Sequence, residues 1–107
     1  MASPVSGHSI TVMKNEIESI LRDQKTYLAG AFNVKSLGLF GSAARGEATR
    51  GSDIDLLVEF REPPGLLRFL ELEDYLSRLL KARVDLVEKQ ALKPVIGRHI
   101  LREVVLI

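Results

Sequence analysis

A chain of 107 residues is one small domain, and with 46% apolar residues it can bury a single core. Its net charge of +1 excludes a general nucleic-acid coat, which needs a basic face, yet leaves room for a local phosphate site. The absence of cysteine removes thiolate nucleophiles, disulfide frameworks and cysteine-bound zinc, and is compatible with a cytoplasmic protein.

The first residues lack the charged start and apolar run of a signal peptide, and no stretch approaches the ~20 apolar residues that cross a bilayer. Residues 1–8 read as a mobile tail before a single domain at 9–107. Ser9 or Thr11 is placed to cap a helix running to about Leu28. Its stripe is Ile10, Met13, Ile17, Ile20, Leu21 and Leu28, with Gly30 and Asn33 as the stop. Lys35 to Phe40 reads as a buried strand in which Gly38 permits close approach. Ala43 to Ala48 has room for a helical turn or two, and Gly51-Ser52 ends it. Asp53 to Phe60 is the plainest strand in the chain.

Pro63-Pro64-Gly65 is a loop. Leu66 to about Ala82 is a helix whose Phe69, Leu72, Leu76, Leu79 and Leu80 make one stripe. Leu66, Leu67, Leu70 and Tyr75 widen its apolar face beyond what a small sheet needs. Arg83 to Glu88 is a third strand. Pro94 opens a last amphipathic helix with Val95, Ile96, Ile100, Leu101, Val104 and Val105. The expected fold is α+β: helices around a small mixed sheet of three strands, or four, in the order α-β-α-β-α-β-α.

Asp53 and Asp55 lie two apart on a strand, so their carboxylates leave the same face about 7 Å apart along the backbone. Ile54, Leu56, Val58 and Phe60 anchor the other face. Two bare acids repel, and a hard divalent cation, Mg²⁺ or Mn²⁺, offsets that repulsion. Gly41-Ser42, at the end of the preceding strand, offers backbone N–H groups and a hydroxyl to phosphate. Arg45 and Arg50 are placed to meet anionic oxygens. Asp85 is the acid at the middle of an otherwise apolar third strand.

Ten residues separate Ser42 from Asp53, barely enough for a parallel crossover, so the first two strands are expected to run antiparallel. That choice brings Gly41-Ser42 to the two aspartates. Phosphate donors beside Asp53, Asp55 and Asp85 are the equipment of two-metal phosphoryl or nucleotidyl transfer, with Asp85 also available as the base. Gly41 to Gly46 has P-loop spacing, but Glu47 and Ala48 stand where that motif needs Lys and Ser or Thr. His8, His99, Arg98 and Arg102 read as solvated or structural, and neither histidine has a local signature that would make it a base for Ser42.

The string Leu39 to Val58, with Gly-Ser, ten residues and Asp-x-Asp, resembles the signature of the minimal nucleotidyltransferases of the DNA polymerase beta-type superfamily. Ala44-Arg45-Gly46 and Ser52-Asp53-Ile54-Asp55-Leu56 match as well, and Asp85 falls at the family's third carboxylate. The resemblance implies an enzyme using ATP with Mg²⁺, with Asp53, Asp55 and Asp85 as catalytic metal ligands. Gly41, Ser42, Arg45, Arg50 and Ser52 would then hold the nucleotide.

It further implies transfer of AMP to a hydroxyl, for many minimal members a tyrosine of a HEPN-domain toxin that they neutralise in a type VII toxin–antitoxin system. No acceptor-holding domain is expected within these 107 residues, so a protein partner is the economical acceptor and a homo- or hetero-oligomer is compatible with it. Two other readings remain: a non-catalytic antitoxin that binds through its surplus leucines, and the catalytic subunit of a small-molecule nucleotidyltransferase.

Overall fold

The computed structural model describes residues 14–49 and 51–107. The expected tail, the cap candidates Ser9 and Thr11, and Ile10, Met13 and Arg50 lie outside the described residues. The N-terminal helical segment is two helices, α1 (Lys14–Asp23) and α2 (Lys25–Phe32), and not the single helix that its periodicity predicts. Gln24 makes the break. Its N–H bonds the Leu21 carbonyl at 3.1 Å, its own carbonyl receives the Leu28 N–H at 2.9 Å, and its side chain accepts the Tyr75 hydroxyl. With the break there, the first helix packs against the long helix (Leu66–Leu80) and the second against the first strand, while the Phe32 ring lies 5.9 Å from that of Tyr75 on the long helix. Gly30 does not stop α2; Asn33 does, in the left-handed region at φ 57°.

Four strands form one mixed sheet: β1 (Val34–Phe40), β2 (Ile54–Phe60), β3 (Val84–Glu88) and β4 (Val105–Leu106), in the order β3-β2-β1-β4. β2 is antiparallel to β1 and parallel to β3. Between β1 and β2 lies the four-residue helix α3 (Gly41–Ala44), earlier and shorter than the 43–48 turn expected. α4 (Leu66–Leu80) connects β2 to β3, and α5 (Pro94–Glu103) precedes β4. Among the described residues, no helix is long and apolar enough to cross a membrane.

Alternation along the strands divides the sheet into two faces. Ile54, Leu56, Val58 and Phe60 on β2, Val84 and Leu86 on β3, and Leu37 and Leu39 on β1 are buried in a core with Ile17, Leu21, Leu72 and Leu76. Among the described residues no polar or charged side chain is buried. The outer N–H groups of β3 are satisfied from α4: Ser77 Oγ accepts that of Val84 at 3.1 Å and Glu73 Oε2 accepts that of Leu86 at 3.0 Å. Side chains thus close an edge that would otherwise invite pairing with another chain.

The last helix departs from expectation. It ends at Glu103, and Val104 turns to φ −66°, ψ 137°, so Val104 and Val105 do not extend its stripe. Val105 pairs with Leu39 and Leu106 with Gly38, and the Ile107 N–H bonds the Leu37 carbonyl at 2.9 Å. Gly38 makes room for this, because a Cβ there would overlap Val104 Cγ2. Nor is the α5 stripe buried: Val95, Ile96 and Leu101 are exposed.

The core assignment predicts a contrast within α4. Leu72→Ala, at a fully buried position, should cost about 2–5 kcal/mol in urea unfolding. Leu67→Ala, at a position 79% exposed, should stay within about 0.5 kcal/mol of wild type.

Candidate active site

The site grows out of two strand registers. In the antiparallel pair, Phe40 at the end of β1 lies opposite Asp55 near the start of β2. In the parallel pair, Asp55 lies opposite Asp85. Adjacent strands are about 4.8 Å apart, so Asp55 has an acid on one side and the end of β1 on the other. Asp53 precedes β2 and is exposed, Asp55 is half-buried and Asp85 is exposed. By strand parity all three belong to the face away from the core.

Gly41 makes the corner after Phe40. Its φ of +71° suits glycine, and a Cβ at this position would overlap Asp55 Oδ2. The turn is anchored by Ala43, Ala44 and Ala48, which are buried, while Gly41 and Ser42 remain half-buried. The Ser42 carbonyl accepts the Glu47 N–H at 2.8 Å, and Arg45 projects to the surface. Ser52 lies in the turn before Asp53, where its hydroxyl accepts the Thr49 N–H at 3.0 Å and meets Thr49 Oγ1 at 3.1 Å. That hydroxyl braces the turn.

A further acid reaches this place from α5. Glu103 Oε2 accepts the Gly41 N–H at 3.0 Å, and Glu103 Oε1 accepts Arg45 Nη1–H at 2.8 Å. Arg45 Nε–H donates in turn to Glu47 Oε1 at 2.9 Å. Sequence reasoning passes over Glu103, and the one local signal is the β-branched Val104-Val105 after it, which hints that the helix stops there.

Charge crowding is concentrated on Asp55. Partial burial pushes its carboxyl above the usual carboxylate range, and Asp85, Asp53 and Glu103 push it further, with Arg45 opposing. Arg45 is held charged by Glu47 first and Glu103 second. Among the described residues no three acidic or imidazole groups are gathered into a ready cation cage. The donor chemistry nevertheless fits a hard divalent ion: carboxylate oxygens share one face, and Asp55 carries repulsion that a cation would relieve. A groove of about 230 Å³ lined by residues including Lys25, Lys35 and Arg61 borders the start of β1, at the other end of that strand from Gly41.

Two substitutions separate these effects. Gly41→Ala should cost about 1–2 kcal/mol through its backbone conformation alone and should also displace the Asp55 carboxylate. Asp55→Asn should do the reverse. A folded-state pKa above the unfolded value gives stability present at low pH and lost as pH rises through the folded pKa. In metal-free buffer at pH 7, Asp55→Asn should therefore melt above wild type, by at most about 1 kcal/mol after solvent screening. That advantage should close below about pH 4, and thermal melts across pH check both.

Residues 15–107 match the family model described as nucleotidyltransferase domain. A protein adenylyltransferase of Thermococcus cleftensis is 56% identical over 90 residues, covering 84% of this chain and 91% of that protein. Among solved structures, a candidate minimal nucleotidyltransferase superposes with a TM-score of 0.74 at 35% identity, covering 88% of this chain and 95% of the other. A toxin–antitoxin structure with AMP-PNP matches with a TM-score of 0.66 at 26% identity, covering 89% and 72%. The fold that joins the Gly-Ser corner to the aspartates is thus a shared one, and this chain belongs to the nucleotidyltransferase domain family, as a nucleotidyltransferase of the minimal class.

Proposed function

We propose that the protein transfers AMP from ATP to a tyrosine hydroxyl of a HEPN-type toxin in the cytoplasm, and so acts as the antitoxin of a type VII pair. The observation that carries this reading is the position of Asp55, set between Asp85 and the Gly41 corner by two strand registers. The relative named a protein adenylyltransferase and the fold match to a toxin–antitoxin structure with a bound ATP analogue support the same direction.

In this reading the Gly41 and Ser42 backbone and the Arg45 guanidinium receive the phosphates together with Ser52, and Arg50, outside the described residues, is assigned to them from the sequence alone. Asp53, Asp55 and Asp85 would hold Mg²⁺ or Mn²⁺, as one ion or two, which would supply charge neutralisation and Lewis acidity at the phosphates. Asp85 is exposed at the open side of the acid row and takes the proton of the attacking hydroxyl. The acceptor oxygen bonds the α-phosphorus as the bond to the pyrophosphate oxygen breaks, and pyrophosphate leaves. Arg45 offsets the charge that collects on it.

A second reading has its own observation. Leu66, Leu67 and Leu70 are 73%, 79% and 46% exposed, so the surplus face of α4 does not close the core. A binding module that neutralises its partner by contact alone would use such a face.

With α-labelled ATP, Mg²⁺ and the HEPN-type partner, wild type should label the partner, and replacing the acceptor tyrosine with phenylalanine should remove the label. Asp53→Ala should lower labelling by at least about 100-fold. Equal labelling by wild type and Asp53→Ala refutes the catalytic reading. Neutralisation of the toxin that survives the Asp53→Ala/Asp55→Ala double substitution supports the binding module.

A further inference from the structure

Glu103 is the last residue of α5 and stands two residues before β4, whose pairing of Val105 with Leu39 and Leu106 with Gly38 brings it to the Gly41 corner. Both carboxylate oxygens are engaged, Oε2 with the Gly41 N–H at 3.0 Å and Oε1 with Arg45 Nη1–H at 2.8 Å. A carboxylate that bridges a backbone N–H and a guanidinium presents the same charge and paired oxygens as one edge of a phosphate. These two donors are also the ones assigned above to nucleotide phosphate.

One pair of donors does not serve both anions. A triphosphate brings several negative charges to a place where Asp53, Asp55 and Asp85 are already crowded, and Glu103 adds another. We infer that Glu103 is a built-in occupant of the phosphate seat, which nucleotide displaces on binding, so that this side chain sets nucleotide affinity. The inference rests on the reading that Gly41 and Arg45 receive phosphate. Its consequence is that apparent affinity equals the intrinsic affinity scaled by the fraction of molecules whose seat is open. Glu47 differs: it holds Arg45 from the solvent side, is 63% exposed against 33% for Glu103, and its one hydrogen bond here is to Arg45 Nε.

Isothermal titration with the Mg²⁺ complex of the α,β-methylene analogue of ATP, which cannot release pyrophosphate, tests this without turnover. Glu103→Gln should bind at least about fivefold more tightly than wild type, and more tightly than Glu47→Gln. Equal or weaker binding by Glu103→Gln overturns the inference. Arg45→Ala separates it from the reading beneath: if wild type binds and Arg45→Ala binds equally well, the phosphate assignment fails, and the inference with it. Absence of binding by wild type and Glu103→Gln alike overturns both. Wild-type protein provides an arm that does not depend on a variant folding. On titration with the analogue, the side-chain carboxylate carbon resonance of Glu103 and the amide resonance of Gly41 should shift together, and an unmoved Glu103 carboxylate overturns the inference.

Discussion

Two strand pairings fix the surroundings of Asp55, and one of them sets a like charge beside it. The parallel register of β2 with β3 puts Asp55 beside Asp85, and the antiparallel register of β1 with β2 puts the same residue beside the end of β1. Neither pairing can slip by one residue without turning Ile54, Leu56 and Val58 out of the core, because strand side chains alternate between faces. Burial of each such side chain stabilises the fold by about 1.5–3 kcal/mol, whereas the repulsion at half-buried Asp55 is screened by water. The core therefore wins, and the acids stay crowded.

Around that crowding the chain arranges groups of opposite character at short range. Gly41 leaves space for the Asp55 carboxylate by lacking a Cβ and turns its N–H the other way, toward Glu103. Ala43, Ala44 and Ala48 are buried and anchor the backbone of the loop, while Arg45 extends from it to the surface. Arg45 lies between two glutamates, Glu47 and Glu103, and only the second also holds the Gly41 amide. On the proposed reading, a nucleotide would meet a positive group already in place, and its affinity would reflect how firmly Glu103 holds that group.

Much of this was legible because it is local. Gly41-Ser42 and Asp53-x-Asp55 lie within fifteen residues, and the ten-residue link limits how their strands can pair. The alternation of Ile54, Leu56, Val58 and Phe60 assigns the aspartates to the other face without any knowledge of the tertiary fold. What escaped depends on distant contacts or on one residue overriding a period. Val104 and Val105 continue the α5 spacing, and only the groove above Gly38, 66 residues before Val104, draws them into a strand. Glu103 gains its place from that strand, so it was invisible with it. The break at Gln24 is of the same kind, since its side chain is engaged by Tyr75 from the long helix.

The two functional readings occupy different ends of the sheet, which is why they can be told apart. β2 begins at the acids and runs seven residues, about 20 Å, to Phe60, and the loop that follows leads into the exposed leucines at the start of α4. α4 then runs back, so Leu80 returns near the start of β3, five residues ahead of Asp85. A partner seated on Leu66, Leu67 and Leu70 alone would lie remote from Asp55, and contact there would leave the acids open to solvent. A partner that also presents a hydroxyl to Asp85 must span the length of the sheet. Catalysis and attachment thus draw on different residues, and the charge at Asp55 is the cost that only the catalytic reading explains, because a surface that merely binds has no need to crowd three aspartates beside a glycine corner.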